Sequence, residues 1–403
     1  MKQIKYICIF ICLMSIVLGL NGCGNYSEVN RLAFVIGFAV DKPDPTKDLY
    51  QVTFQIVKPN QTSNPTSGGG GQGVPVVNYT GIGRTISEAA RNSSKKISRK
   101  SFYAHTAVVI IDENTAKDSI IKVTDALQRD PKIPSRVPVI IARDTSAQSI
   151  LKAITPLDSI PSESLINQIY NTETVLGESS VEPVIKIVQR ATSVGTDVFI
   201  SGIGFQGNPE EASKIEELES QEPFSLLITK GIGLFRNDKL VHWMDGKKAR
   251  ALQIANNTLR QTNVTVPCGN HKFISVTINK SKAKTKVELK NKIPVVNLKA
   301  KMDGNIEEVT CAWNFNKPKT IEKIEKKAGE IIEKEIKQAI IESSDNNCEA
   351  FSLGHKLAIH HPKQWDKNKK NWNQLEKKAK LNVKVELSIE RTGMRTNVGK
   401  ERE

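Results

Sequence analysis

Three glycines give the sequence a match to a dinucleotide-binding fingerprint. The run Gly202-Ile-Gly204-Phe-Gln-Gly207 satisfies G-x-G-x-x-G and follows a predicted strand, where such a loop would turn its backbone N–H groups toward a pyrophosphate. The segment after it lacks the apolar face that packs a helix onto a sheet. A turn between strands explains the glycines better, and we expect no cofactor.

Cysteine and histidine pairs are candidate metal ligands. Cys268 and His271 could supply two sides of a zinc site, but a tetrahedral site needs four ligands, and the next cysteine, Cys311, has no paired partner. His360 and His361 are adjacent, so on a strand their rings would point to opposite faces. The pattern predicts no metal site.

The sequence offers a weak candidate for serine chemistry. Ser93 and Lys96 form S-x-x-K inside a basic stretch, which is more simply a solvated helix face. Neither G-x-S-x-G nor H-E-x-x-H occurs in the sequence, and both are patterns typical of hydrolases. We therefore expect no catalytic residues and no enzyme activity.

Cys23 carries the strongest chemical prediction. Lys2 and Lys5 precede an apolar run of about 14 residues, shorter than the roughly 20 that cross a bilayer as a helix, so residues 1–22 fit a signal peptide. Leu20-Asn21-Gly22-Cys23 resembles the lipobox of bacterial lipoproteins, in which the cysteine sulfur receives a diacylglycerol and the chain is cut before it. Lipid attachment at Cys23 is therefore predicted. An ordinary cleaved signal peptide with a free cysteine is the alternative.

Few thiols remain for other chemistry. Cys8 and Cys12 would leave with the signal peptide. The cysteines of the body are Cys268, Cys311 and Cys348. One disulfide with one free thiol and three buried thiols are both compatible with this spacing.

The net positive charge of the chain favours an anionic binding partner. The chain has 58 Lys+Arg and 43 Asp+Glu, a net charge of +15. For an exported protein this points to anionic lipid headgroups or wall polymers before nucleic acid, and we expect no nucleic-acid partner.

Trp365 and Trp372 lie seven residues apart in a lysine-rich stretch. They predict an interaction surface, with coverage of a sheet edge by half-buried rings as the alternative.

Strand and helix patterns alternate through the first half. Residues 32–41 form an almost continuous apolar run, and Thr85 to Glu88 is a capping box that opens a helix. These patterns predict an N-terminal α/β domain over residues 23–145 with a flexible loop at 60–75. A second capping box, Thr145 to Gln148, opens a helix-rich subdomain that ends in an acidic linker, residues 146–222.

The remaining residues, 223–403, predict a C-terminal α+β domain. A hairpin turns at Asn237-Asp238, and a long amphipathic helix is followed by an alternating strand. Its apolar side holds Ile321, Ile324, Ala328, Ile332, Ala339 and Ile340. We expect an antiparallel sheet with this helix on it. The fold class is α+β and multi-domain, with two or three mixed α/β domains.

The order of these segments resembles the Ger(x)C family of spore germination lipoproteins. The resemblance lies in Cys23 followed by Glu28-Val29-Asn30, then "LAFVIGFAVDK", "YQVTFQIVKP", "GRTISEAARNSSKKISRK", "GIGLFRNDKLVHWMD" and "VELSIERTGM". Glu349 to Gly354, with Pro362 and Trp365, resembles the family's D-x-F-G-F-G…P-x-x-W. Gly24-Asn25 stand where the family usually has Trp-Asp, and Ser352-Leu353 replace Gly-Phe.

The resemblance implies a three-domain α/β protein without enzyme activity. It implies the C subunit of a nutrient germinant receptor, a membrane-anchored lipoprotein on the outer face of the spore inner membrane. Its partners would be the membrane-embedded A and B subunits and, through acylated Cys23, the bilayer. Its role would be in germinant sensing and signalling. The alternative is a lipid-anchored solute-binding protein or a protein active on the cortex or cell wall.

Overall fold

Two β-sheets organise the chain in the computed structural model, which describes residues 3–7, 28–58, 74–158, 160–218, 220, 222 and 225–392. Ten strands form the first sheet and four form the second. Cys23 and nearly all of the predicted loop at 60–75 lie outside the described residues. The predicted α+β class is confirmed by the two sheets and the helices packed on them.

The strands of both sheets are as follows. The first sheet contains β1 (Leu32–Asp41), β2 (Tyr50–Val57), β3 (Val76–Gly83), β4 (Lys100–Phe102), β5 (Val108–Asp112), β6 (Pro138–Ala142), β7 (Glu182–Pro183), β8 (Phe199–Gln206), β9 (Leu226–Arg236) and β10 (Lys239–Met244). The second contains β11 (Thr262–Gly269), β12 (Lys272–Lys290), β13 (Ile293–Val309) and β14 (Lys380–Arg391).

The helices of residues 86–376 are distributed over both halves. They are α1 (Ile86–Ser93), α2 (Glu113–Asp118), α3 (Ile120–Arg129), α4 (Ala147–Lys152), α5 (Pro161–Val175), α6 (Val184–Thr192), α7 (Gly246–Ala255), α8 (Pro318–Asp345), α9 (Leu353–His360), α10 (Pro362–Asn368) and α11 (Trp372–Glu376).

The centre of the first sheet is parallel and its flanks are antiparallel. β1, β5, β6 and β8 run parallel, while β2, β3, β9 and β10 continue the sheet in antiparallel pairs. All five residues of β5 are buried, as expected for a strand covered on both faces. Helices α4 and α5 share an apolar core with one face, and α1, α2, α3 and α6 share one with the other.

Helix caps follow the sequence patterns at one site and differ by one residue at another. Thr85 caps α1 by accepting from the Glu88 N–H at 3.1 Å, which confirms the first box. The second box is wrong by one position, because Ser146 and not Thr145 caps α4. The Ser146 hydroxyl accepts from the Ser149 N–H at 3.0 Å, and the Asp41 carboxylate at the end of β1 accepts from the first two N–H groups of α4, at 2.6 and 3.0 Å.

The predicted hairpin is formed by β9 and β10. Asn237 and Asp238 at its turn have φ of 47° and 69°, the left-handed values that a two-residue turn between twisted strands needs. β9 pairs antiparallel with β8, so the first sheet continues beyond residue 223, where we placed the start of the C-terminal domain. The domain limits themselves remain a prediction.

The glycine fingerprint is not a turn between strands, and that interpretation is wrong. Gly202 and Gly204 lie within β8. A Cβ at 202 would come within 2.6 Å of the Lys230 carbonyl oxygen and 2.5 Å of the Trp243 ring, and one at 204 within 2.8 Å of the Arg143 carbonyl oxygen. These glycines permit close packing of neighbouring backbone and side chains on the strand.

The long helix α8 lies on the second sheet. Its predicted apolar side is confirmed, since Ile324, Ala328 and Ile332 are fully buried against the sheet core. β11, β12 and β13 are antiparallel, but β14 pairs parallel with β13, so the expected all-antiparallel sheet is corrected. A chain that crosses from β13 through a helix to the neighbouring strand can return in the same direction.

The cysteines of the body adopt the arrangement with one disulfide. Cys268 and Cys311 are bonded across 43 residues, and this bond ties the end of β11 to the segment after β13. Cys348 is free and 1 % exposed. Burial raises the pKa of its thiol to about 12, so this sulfur stays protonated and unreactive at neutral pH.

Candidate functional site

The two halves of the chain meet where the segment before β8 contacts the segment after α8. We call this contact, residues 194–197 against 347–355, the junction. The Asp197 N–H donates to the Glu349 carbonyl oxygen at 3.1 Å, and the Glu349 N–H donates to Asp197 Oδ2 at 2.8 Å. The His355 N–H donates to the Gly195 carbonyl oxygen at 2.7 Å. Backbone hydrogen bonds of this kind fix the two segments in register.

Two glycines make this close approach sterically allowed. Gly195 has a φ of 64°, and a Cβ there would lie 2.5 Å from the backbone of Gly354. At Gly354 a Cβ would lie 2.8 Å from the Trp365 ring and 2.9 Å from the indole nitrogen of Trp372. A side chain at 195 would therefore push the two segments apart, and one at 354 would displace the indole rings.

A pair of buried carboxyl groups lies beneath the junction. Glu349 and Glu376 are each 5 % exposed. Glu349 accepts hydrogen bonds from the Gly354 N–H at 3.1 Å and from the indole N–H of Trp372. The Ser344 hydroxyl donates to Glu376 at 3.0 Å.

These carboxyl groups hydrogen-bond each other, and both titrate above the ordinary range. Burial raises the pKa of Glu349 well above its ordinary value of 4.5, and the neighbouring Glu376 raises it further. Burial also raises the pKa of Glu376, although its bonds to Glu349 and Ser344 oppose the effect. Because two carboxylates in contact cannot both ionise at low cost, the pair holds a proton between them.

We predict that Glu376→Gln stabilises the protein at alkaline pH. A carboxyl whose pKa rises on folding binds more protons when folded, so its contribution is present below about pH 4.5 and is lost as pH rises through the raised pKa. Glutamine stays neutral and removes that loss. We expect a gain of about 1–2 kcal/mol in the free energy of unfolding at pH 8.5 and little change at pH 4.5.

Urea unfolding at several pH values measures this effect. Glu330→Gln is the control, because Glu330 is an exposed glutamate of α8, and its slope with pH should match that of the wild type. An equal slope for Glu376→Gln and the wild type would contradict a shared proton in the pair.

The two tryptophans predicted as an interaction surface lie beside this pair. Trp372 is 2 % exposed, so its ring belongs to the protein core. Trp365 is half-buried and packs edge-on against it, with ring centroids 5.8 Å apart. Only Trp365 of the two therefore retains a sizeable solvent-facing surface. Whether it contacts a partner stays a prediction.

Above the tryptophans, a cleft of about 320 Å³ opens between the two halves. Its walls carry both acidic and basic side chains. Burial raises the pKa of one of the acidic groups, Asp197. Its polar and aromatic walls include Thr196, Asp197, Arg236, Asn237, Asp238, Glu349, Trp365, Lys369 and Trp372. A polar group bound there would contact both halves and restrict their relative movement.

Lys356 adds an unusual cation next to the junction. Its ammonium donates to the Phe351 carbonyl oxygen at 2.7 Å. Burial lowers its pKa to about 8, against the opposing attraction of Glu349. A partly buried lysine thus lies seven residues after Glu349, one member of the buried carboxyl pair, and such a group of shifted pKa values is typical of functional sites.

Sequence reasoning reached part of this site. Glu349, Gly354 and Trp365 lie in the motif quoted above, although no role followed from it. Asp197 and Glu376 were missed. Glu376 stands in "NQLEKKAK", where the surrounding lysines suggest a solvated helix end, and nothing local indicates that it is buried.

Comparisons with known proteins cover both halves of the fold. A family model described as "Spore germination protein N-terminal domain" matches residues 25–204, and one described as "Spore germination B3/ GerAC like, C-terminal" matches residues 230–393. The chain belongs to the Ger(x)C family of spore germination proteins. The resemblance inferred from the sequence is thus confirmed.

Individual Ger(x)C proteins match over almost their full length. Spore germination protein KC of Bacillus subtilis (strain 168) is 27 % identical over 393 residues, 96 % of this chain and 95 % of that protein. Spore germination protein GerQC of Bacillus cereus is 23 % identical over 369 residues, 90 % of this chain and 96 % of that protein. Each of these two alignments spans at least nine-tenths of both chains.

A solved structure shares the fold. The crystal structure of the GerBC protein matches with a TM-score of 0.55 at 16 % identity, over 90 % of this chain and 100 % of that one.

The junction also gives a physical reason for the C-terminal Ger(x)C motif, since Glu349 accepts from the Gly354 N–H and Gly354 lies under both indole rings. Among the described residues no helix combines the length and apolarity of a membrane span.

Proposed function

We propose that this protein is a non-enzymatic, lipid-anchored subunit of a spore nutrient germinant receptor. It acts in germinant sensing and signalling on the outer face of the spore inner membrane, through contact with membrane-embedded A and B subunits. The observation that carries the proposal is the match of nearly the whole chain, in order, to spore germination proteins. The predicted signal peptide and lipobox at Cys23 support the anchor.

The junction supports a role in transmitting a signal between the two halves. Both sides are joined by backbone hydrogen bonds, and the cleft above them has walls from both halves. A shift of one segment would change the environment of Glu349 and its proton. Contact of a partner subunit with either half could thus alter the other half.

Deletion of the gene tests the proposal. Spores that lack the protein should lose germination in response to the nutrient of this receptor, while germination triggered by a stimulus that bypasses the receptor should continue. A tagged copy should restore the response and co-purify with membrane-embedded subunits after crosslinking in spore membranes. Normal nutrient germination with altered cortex hydrolysis would instead favour the wall-active alternative.

A further inference from the structure

A group of cations surrounds the point at which the chain enters the first sheet. β4 pairs parallel with the beginning of β1, with Lys100 opposite Leu32. The loop before β4 and the end of β2 lie beside the same strand, because one groove of about 330 Å³ is lined by Leu32, Lys58 and Arg99. We name this region the anchor-side surface. Its cations are Arg31, Lys58, Arg99 and Lys100, together with Lys95 and Lys96 in the helical turn directly before Ile97, which lines the groove.

Little negative charge opposes these cations. Among the described ion pairs, only Arg31 has an acidic partner, Glu28 at 3.4 Å. The ammonium groups of Lys58 and Lys96 donate to backbone carbonyl oxygens, at 2.8 and 2.7 Å, and these contacts leave their charges unneutralised. The surface therefore projects a concentrated positive field.

Apolar groups lie among the charges. The groove beside Lys58 and Arg99 is walled by Ala33, Ile56, Val57, Val77, Tyr79 and Ile97. Val29, just before β1, is 69 % exposed. Apolar side chains framed by lysine and arginine match the chemistry of a bilayer interface, where headgroups are anionic and the layer beneath is apolar.

The distance to the predicted anchor places this surface near the lipid. Leu32 is nine positions after Cys23 in sequence, so an extended chain between them reaches at most about 30 Å. Since β1 begins on the anchor-side surface, the proposed lipid anchor would lie within about 30 Å of this surface.

We propose that the anchor-side surface is the face that rests on the membrane and binds anionic phospholipid headgroups. The inference rests on the anchoring proposed above, and adds an orientation to it. Each Lys or Arg near such a surface strengthens binding by about fivefold. Reversing three of them should therefore weaken the contact at least tenfold, while the acyl chains still hold the protein to the vesicle.

The test uses the acylated full-length mature chain in vesicles of phosphatidylcholine, with or without phosphatidylglycerol. A fluorophore is attached at Ser98→Cys on the surface or, as the distal control, at Ser388→Cys on the outer face of β14; both serines are exposed. Labelling is selective because Cys268 and Cys311 are bonded and Cys348 is buried. Quenching by lipids with a nitroxide headgroup reports proximity to the bilayer.

At low salt we expect at least fivefold stronger quenching at 98 than at 388 in anionic vesicles. The difference in quenching between 98 and 388 should fall in neutral vesicles and in the variant Lys95→Glu/Lys96→Glu/Arg99→Glu. It should also fall in 0.5 M salt, because the Debye length shortens to a few Å. The matched control Lys282→Glu/Lys284→Glu/Lys299→Glu reverses three exposed lysines of the second sheet and should leave it unchanged.

Other outcomes separate the two proposals. Protein that pellets with vesicles but shows equal quenching at both sites would overturn the orientation and leave the receptor role intact. Protein that fails to pellet would overturn the anchor and the orientation with it. A triple variant that keeps its quenching but loses co-purification with the membrane-embedded subunits would assign the cations to a protein partner and overturn the lipid role.

Discussion

Replacing Trp372 with alanine should lower the free energy of unfolding by about 4 kcal/mol, in the range measured for large aromatic side chains removed from cores. The indole is 2 % exposed and packs on Gly354 and Trp365. Its N–H also donates to Glu349, which is itself buried. The substitution would thus create a cavity and remove a hydrogen bond from a carboxyl group that is only 5 % exposed.

Trp372→Phe separates these two effects. Phenylalanine keeps most of the ring volume but lacks the N–H donor, so we expect a smaller loss of about 1–3 kcal/mol from the Glu349 oxygen that loses this donor. Combining Trp372→Phe with Glu349→Gln should cost less than the sum of the two single changes, since the residues act in one network. Urea unfolding of the four proteins measures the coupling.

The same variants report on the junction. Hydrogen exchange of residues 194–197 should increase in Trp372→Ala, because the segment that Asp197 contacts would lose its support. Arg129→Ala, at an exposed position of α3, should leave exchange at the junction unchanged. A cost below about 1 kcal/mol for Trp372→Ala would contradict its role as a core residue.

Periodic segments were predictable from the sequence because their pattern depends on burial alone. The apolar side of α8 and the continuous run of β1 both appear as expected. The hairpin at Asn237-Asp238 followed from residues that tolerate positive φ. In each of these cases local chemistry and tertiary packing favour the same structure.

Features that depend on distant partners were not predictable in this way. Asp41 accepts from the first N–H group of α4 from 106 residues away, and Gly202 is required by Trp243 on a different strand. The parallel direction of β14 depends on how the chain crosses the sheet after α8. None of these causes leaves a trace in a short window of sequence.

The junction shows the same limit for function. Its two sides are separated by about 150 residues in the chain, as in the hydrogen bond between Thr196 and Ser352. A single sequence identifies the motif from Glu349 to Gly354 only by resemblance. The physical reason for the motif, a buried carboxyl pair under two indole rings, requires the three-dimensional arrangement.

Cys23→Ala should have the largest effect on function. Alanine offers no sulfur for thioether formation, so the precursor should remain uncut and unlabelled by radioactive palmitate. Two acyl chains anchor a protein stably, because each buried CH₂ contributes about 0.8 kcal/mol and a single chain gives only marginal binding. Without them the mature, membrane-bound form should be lost, and nutrient germination should fall to the level of the deletion.

Cys12→Ala is the matched control for this experiment. Cys12 lies in the apolar run of the same leader, and a change there leaves the lipobox intact, so labelling, cleavage and germination should continue. Mass spectrometry that finds a free Cys23 thiol on the mature protein would reject lipid attachment. If Cys23→Ala abolished labelling but preserved germination, the cations around Leu32 and the partner subunits would have to hold the protein at the membrane without the lipid.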